Sequence, residues 1–413
     1  MKTFSYSALF SYGLFGLPLA LVALPIYVYV PQFYAERFGL SLTLIGSALL
    51  IARVLDAFID PAIGLWIDKR RDGEGYSRFI ILSLPLLIIG FIALFHPPQS
   101  IGADSFSWFL VSLVVVYIGF SLATIAYHSW GASLTQARSQ RSRLTTVREA
   151  CGLLGVVIAA ALPTITGIGV LSLVFIATLL AAAWLLLRHA PRPDSRRPGS
   201  VRLSALLAPF KNSKFRWLFS VFMLNGIAAA IPATLFLFFT NDRLDLPEYA
   251  GLFLLLYFIA AALSMPLWAM LAKRYGEQRA WLIGMGLAIA TFIWAYTLSS
   301  GAATGFAMIC ILSGFTLGAD LALPPALLAG VIGEADGIGK SEGAYFGIWS
   351  WSTKMNLALA AGIALPMLEI LGYQVGTSDA QGLHALAVGY ALLPCALKLI
   401  AAIVLWRAPL HNV

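Results

Sequence analysis

The chain has 413 residues, 60% hydrophobic and only 11% charged, with a formal net charge of +8 and a mean hydropathy of +0.85. A soluble globular surface needs about twice that charged fraction (~25%), so the composition excludes a soluble protein. Continuous apolar runs exclude a β-barrel, whose strands alternate apolar and polar. The net positive charge does not point to nucleic acid, because Lys and Arg sit in short loops between apolar runs.

A helix crossing a hydrocarbon core ~30 Å thick needs about 20 mostly apolar residues. About twelve stretches reach that length, near 8–32, 41–67, 79–97, 107–132, 145–167 and 169–188, then 216–240, 249–272, 280–299, 303–332, 343–371 and 384–407. Lys2 precedes the first stretch, which exceeds a cleavable leader in length and reads as a retained helix. The longest polar stretch, 189–215, carries Pro191, Pro193, Pro198 and Gly199 among arginines. It reads as a cytoplasmic linker between a six-helix half at 1–188 and another at 216–413. Cys151, Cys310 and Cys395 stand alone in apolar stretches. Their spacing offers neither a metal site nor a disulfide framework, so they read as small buried hydrophobes.

Loop charge sets the expected orientation. Lys69, Arg70, Arg71 and Arg78 follow the second span, and Arg138, Arg141 and Arg143 the fourth. Arg188, Arg192, Arg196, Arg197 and Arg202 follow the sixth, Lys273, Arg274 and Arg279 the eighth, and Lys340 the tenth. The opposite loops offer only Arg37 and Arg243, so both termini are expected in the cytoplasm. Leu65-Trp66, before Asp68 and its basic neighbours, is echoed by Leu267-Trp268 before Lys273-Arg274. This echo equates the second and eighth spans and suggests two parallel six-helix repeats. That is the major facilitator arrangement, with a solute site at mid-membrane between the halves.

Ionisable groups within spans are costly and point to function. Arg53, Asp56 and Asp60 are spaced by three and then four, which places them on one helical face. Two carboxylates a turn apart beside a guanidinium suit a cation site. They can hold a metal cation directly, or repulsion and desolvation can make one of them take a proton. Arg53 and Asp56 are also spaced to bridge each other. Pro61 should weaken the helix locally. Further charges are Arg148 and Glu149 in the fifth span, Asp320 in the tenth, Lys354 in the eleventh and Lys398 in the twelfth. Asp320 precedes Pro324-Pro325, which should break or kink its helix. Lys398 is a possible partner for Asp320 or Glu149.

The run Arg53-Val-Leu-Asp56-Ala-Phe-Ile-Asp60-Pro61-Ala-Ile-Gly64 resembles the R-x-x-D-A-x-x-D-P-x-x-G stretch of the glycoside–pentoside–hexuronide:cation symporter family. Supporting similarity lies in Ser11-Tyr12-Gly13 with Phe15-Gly16, in Tyr257-Phe258 through Pro266-Leu267-Trp268, in Gly318 to Pro325, and in Glu342-Gly-Ala-Tyr345 with Lys354. The resemblance spans nearly the whole chain. It implies an all-α membrane protein of twelve transmembrane helices with the major facilitator fold. It implies cation binding by Asp56 and Asp60, and solute binding by Arg148, Lys354, Trp130 and Trp349. Arg53, Glu149, His128 and Asp320 would support them, His128 as a possible proton relay. The family's best-known member has Asn just before the second carboxylate. Ile59 stands here and offers no oxygen, so a proton is expected as coupling ion in preference to sodium. Leu17, Pro18 and Ala126 fall where that member has its sugar-binding polar groups, and His128 replaces a Pro.

The expected function is therefore cation-coupled symport of an organic solute: a glycoside, a hexuronide or another organic anion. The alternative is a transporter of lysolipid or another hydrophobic compound with the same fold. A membrane prenyl or acyl transferase lacks its Asp-rich or Ser/His/Asp cluster here, so an enzyme is not expected. No cofactor and no bound metal are expected. The expected partners are a small-molecule substrate and membrane lipid, the chain acting as a monomer in the plasma membrane, the inner membrane if the cell is Gram-negative.

Overall fold

A backbone in lipid must satisfy its own hydrogen bonds, so a long apolar run has the helix as its local solution. The computed structural model describes residues 5–69, 75–98, 102–134, 138–191, 208–336 and 342–410. It holds twelve helices of membrane-crossing length and hydropathy, with no strand among the described residues. In the first six, α1 spans Tyr6–Val28, α2 Leu42–Lys69, α3 Gly75–Phe95, α4 Ser105–Leu134, α5 Arg138–Thr166 and α6 Ile168–His189. In the second six, α7 spans Ser213–Arg243, α8 Ala250–Tyr275, α9 Glu277–Thr297, α10 Ala303–Asp336, α11 Glu342–Ile370 and α12 Ala380–Arg407. Several boundary calls fall outside the described residues: most of the 189–215 linker, with Arg192, Arg196, Arg197 and Arg202, and also Arg70, Arg71 and Lys340. The side chains of Asp68, Lys69, Arg138, Arg141, Glu342 and Gly343 are likewise outside them.

Local sequence explains where the helices start and break. Asn212 caps α7 by accepting from the Lys214 amide, and Asp379 caps α12 by accepting from Gln381 and Gly382. The first helix is not the single rod expected. It turns tighter at Leu14-Phe15, where Leu17 bonds back to Leu14 three residues away. Pro18 brings no N–H to the Leu14 carbonyl, which frees that carbonyl for the shorter bond. After a second irregular residue, Tyr29, the chain continues as a helix over Val30–Phe38. Wide π turns occupy Phe239–Arg243 and Val388–Leu392, the latter just before Pro394. They bring Phe239 and Tyr390 face to face, with ring centroids 4.0 Å apart. The expected weakening at Pro61 does not interrupt α2, and Pro324-Pro325 does not break α10; both helices run through their prolines. A proline removes one or two helix bonds, and neighbouring helices keep the segment helical.

The chain divides into two compact units, Met1–Pro198 and Gly199–Val413. In the first, α1 packs on α5 and α6, α2 on α4, and α3 on α4 and α6. In the second, α7 packs on α11 and α12, α8 on α10, and α9 on α10 and α12. Adding six to each number of the first set gives the second, which is the pattern of a parallel repeat. The tryptophan echo does not follow it. Trp66 is 41% exposed, whereas Trp268 is 2% exposed with its indole on the Phe315 carbonyl. Trp66 stands three residues before Lys69 and Trp268 five before Lys273. That difference of two residues turns a helical side chain by about 200°.

Close approach of α3 and α4 depends on two glycines. A Cβ at Gly90 of α3 would lie 2.7 Å from the Val116 amide nitrogen of α4, and one at Gly119 of α4 would lie 2.9 Å from that of Leu87. The three cysteines are free and buried.

Candidate ion and solute site

The three-then-four spacing on α2 does what helical geometry requires. Arg53 and Asp56 point into the first unit and are 2% and 3% exposed. Arg53 Nη1 donates to Asp56 Oδ2 at 3.1 Å, so the bridge their spacing allowed is formed. The other Asp56 oxygen, Oδ1, accepts from Ser121 Oγ of α4 at 2.5 Å. The Arg53 guanidinium lies 4.0 Å from the Tyr117 ring centre and 5.2 Å from that of Tyr27. Tyr117 and Ser121 are one turn apart on α4, so one face of that helix supplies both an aromatic face and a hydroxyl. A buried pair of this kind offsets its own desolvation only with good geometry and further hydrogen bonds. The Asp56 side meets these conditions through Ser121, whereas Arg53 Nε is buried without a hydrogen-bond partner. Asp60, one turn further along the same face, is only half-buried. The two carboxylates of the motif differ in burial: Asp56 is buried and engaged by Arg53 and Ser121, while Asp60 is half-buried with its Oδ1 covered.

A second group of polar contacts joins α1, α4 and α5. Tyr12 donates to the Tyr127 carbonyl at 3.2 Å, and Tyr127 donates back to the Tyr12 carbonyl at 2.8 Å. Their rings stack with centroids 4.6 Å apart. On α5, Arg148 clasps the Oε1 of its neighbour Glu149 through Nη2 at 2.6 Å and Nε at 3.1 Å. The Glu149 side chain is 67% exposed and that of Arg148 24%. Glu149, the exposed end of the pair, lies towards the surroundings, while the Arg148 side chain is largely covered. His128 is exposed, its ring 5.8 Å from that of Tyr127. Trp130 is 2% exposed, and its indole N–H is bonded to the Pro191 carbonyl at 2.9 Å. Its ring is packed inside the first unit in this conformation.

In the second unit Trp349 of α11 is also packed, its ring 3.7 Å from that of Phe222 of α7 and 23° from parallel. Lys354, half-buried, stands five residues further on and so points about 140° away round the helix. The solute candidates of this unit therefore do not share a face. Asp320 of α10 meets Lys398 of α12 at 2.8 Å. Lys398 also donates to Asn225 Oδ1 of α7 at 2.8 Å, and Asp320 accepts from the Trp281 indole of α9 at 2.8 Å. Sequence reasoning raised the Lys398–Asp320 pairing without selecting it, and it missed Ser121, Tyr117, Asn225 and Trp281. Asn225, a single amide within an apolar span, was the available signal.

No group of three or more His, Cys, Asp or Glu arranged for a metal ion occurs among the described residues. The charges within the spans and the repeated six-helix packing are those of a polytopic membrane protein. The model of the family described as MFS/sugar transport protein matches residues 10–412, and the chain belongs to that family. It is 25% identical over 94% of its length to the "Isoprimeverose transporter" of Lactiplantibacillus pentosus, covering 85% of that protein. It is 21% identical over 79% of its length to the "Sodium-dependent lysophosphatidylcholine symporter 1" of Gallus gallus, covering 71% of it. Among solved structures, the nucleoside transporter NupG superposes with a TM-score of 0.72, over 96% of this chain and 99% of that one. At 14% identity that likeness concerns the fold alone. The chain is a multi-pass membrane protein of the major facilitator fold that moves a small molecule.

Proposed function

We propose that this transporter carries an organic solute, a glycoside, hexuronide or other organic anion, together with a proton, and that Asp60 is the proton carrier. The observation that carries the reading is the division of labour on α2: Arg53 and Ser121 occupy Asp56, and Asp60 on the same face stays half-buried. A proton needs one such carboxylate. Sodium needs several oxygens at once, and Ile59 contributes none. The family match and the isoprimeverose-transporting relative favour a solute of the sugar class. The distribution of Lys and Arg among the loops supports placing both termini in the cytoplasm, and we take the chain to act as a monomer in the plasma membrane.

Arg148 and Lys354 are the cations we assign to the solute. Because Glu149, the exposed end of the pair, occupies Arg148, a solute carboxylate has to displace it. Arg148→Gln is expected to raise KM for a hexuronide about tenfold or more with a smaller change for a neutral glycoside. Glu149→Gln is expected to lower the hexuronide KM. Uptake of both labelled solutes into proteoliposomes measures this, and equal KM changes for the two solutes in Arg148→Gln would contradict the assignment. The second reading, lysolipid transport, is favoured by the Gallus gallus relative; lysolipid movement without movement of any soluble solute would establish it.

A further inference from the structure

The α2 motif and the solute cations leave one buried charged cluster unused. It lies wholly in the second unit and joins four helices: Asn225 of α7, Trp281 of α9, Asp320 of α10 and Lys398 of α12. Its ion pair is nearly closed to the surroundings, with side chains 11% and 12% exposed. Each Asp320 oxygen has a donor, Trp281 for Oδ1 and Lys398 for Oδ2. Stability alone is a poor reason for such a cluster, because a buried ion pair contributes little over a well-packed apolar replacement. A better-attested use is to fix the register of elements that have more than one arrangement.

The position of Asp320 on α10 indicates which arrangement is fixed. Up to this point the helix is held firmly to α8. Ser264 Oγ and Trp268 Nε1 both donate to the Phe315 carbonyl, at 2.8 and 2.7 Å. Gly314 and Gly318 let the two backbones meet; a Cβ at Gly318 would lie 2.9 Å from the Ala261 carbonyl oxygen. Beyond it, Pro324 and Pro325 bring no N–H to the carbonyls of Asp320 and Leu321, so the helix is weakest here. Past the prolines α10 packs through Leu327, Leu328, Val331 and Ile332, whose apolar contacts are non-directional. Asp320 thus sits at the junction between a half joined to α8 by directional hydrogen bonds and a half packed through apolar side chains. Its directional bonds reach α9 and, through Lys398, α12 and α7.

We propose that Asp320 and Lys398 are positioning residues for translocation: a charge-paired latch, seated on Asn225 and Trp281, that holds α10 at its proline step and opens when the helix bends there. The latch touches neither solute nor proton. It acts on the conformational step, and in that respect rests on the transporter reading.

The test uses purified full-length protein and three variants, Asp320→Asn, Lys398→Met and the double Asp320→Asn/Lys398→Met. Three quantities are read: thermal stability, amide hydrogen exchange across residues 321–332, and solute exchange in proteoliposomes. Each single variant strands a buried partner and is expected to melt earlier than the parent. The double variant strands no charge and is expected to regain most of that stability. It is nevertheless expected to exchange about tenfold faster beyond Pro324 and to change turnover at least about tenfold, with KM moving less than about threefold. Parental exchange and parental turnover in the stable double variant would overturn the latch. So would a tenfold rise in KM at unchanged turnover, which would make the pair a solute contact. If the parent moves no solute at all, the symport reading fails, and hydrogen exchange in the double variant still decides the latch: faster exchange supports it and unchanged exchange overturns it.

Discussion

Asp60→Asn is expected to abolish the accumulation of solute driven by a pH gradient while leaving downhill solute exchange within about tenfold of the parent. At one proton per solute, a gradient of about two pH units supplies about 2.7 kcal/mol, enough for roughly hundredfold accumulation. The amide has nearly the volume of the carboxylate and keeps hydrogen-bonding capacity, but it carries no titratable proton. The accumulation ratio should therefore fall to about one. Asp56 is engaged by Arg53 at 3.1 Å and Ser121 at 2.5 Å, which is why the proton is assigned to Asp60. Asp60→Glu, which restores a titratable group about one methylene further out, should recover part of the accumulation. Reconstituted vesicles with an imposed pH gradient give the ratio directly, and undiminished accumulation in Asp60→Asn would move proton coupling to another group.

Arg53→Met is expected to cause the largest loss of stability of any single change at this site. It leaves the Asp56 carboxylate at 3% exposure without its cation and removes the contacts with Tyr117 and Tyr27. Removing one partner of a buried pair costs about 3–5 kcal/mol, because the other charge stays desolvated. Arg53→Lys should fall between parent and Met: an ammonium can reach Asp56 but lacks the planar face that lies on Tyr117. The double variant Arg53→Met/Asp56→Leu removes both charges and should recover half or more of the loss. Thermal unfolding in detergent, followed by the monodisperse fraction, ranks the three. An Arg53→Met protein that melts with the parent would contradict a charged Asp56 in the fold.

The helices were legible because a bilayer imposes one length criterion on every span, and composition alone meets or fails it. Irregularities inside the spans were less legible. The tighter turn at Leu14-Phe15 and the π turns at Phe239 and Val388 depend on which neighbours satisfy a freed carbonyl. At Pro61 and Pro324-Pro325 the same uncertainty ran the other way, and the helices continued. Within the site, legibility followed sequence distance. Arg53 and Asp56 lie one turn apart, so spacing allowed their bridge as an alternative to a cation site. Ser121 meets Asp56 across 65 residues, and Lys398 meets Asp320 across 78, distances at which helical periodicity says nothing. The tryptophans show a further limit. Trp130 and Trp349 were assigned to the solute by resemblance, which says nothing of their neighbours: Trp130 lies beside Pro191 and Trp349 is stacked on Phe222.

The most direct test of proton symport is a pH electrode in a weakly buffered, sodium-free suspension of proteoliposomes. Glycosides, hexuronides and other organic anions would be added one at a time, with lysolipid movement followed in parallel. The account predicts that at least one sugar-class solute or organic anion makes the external medium alkaline as it enters, with the signal absent in Asp60→Asn. Solute entry that requires sodium and moves no protons would contradict it, as would lysolipid movement in a protein that moves no soluble solute.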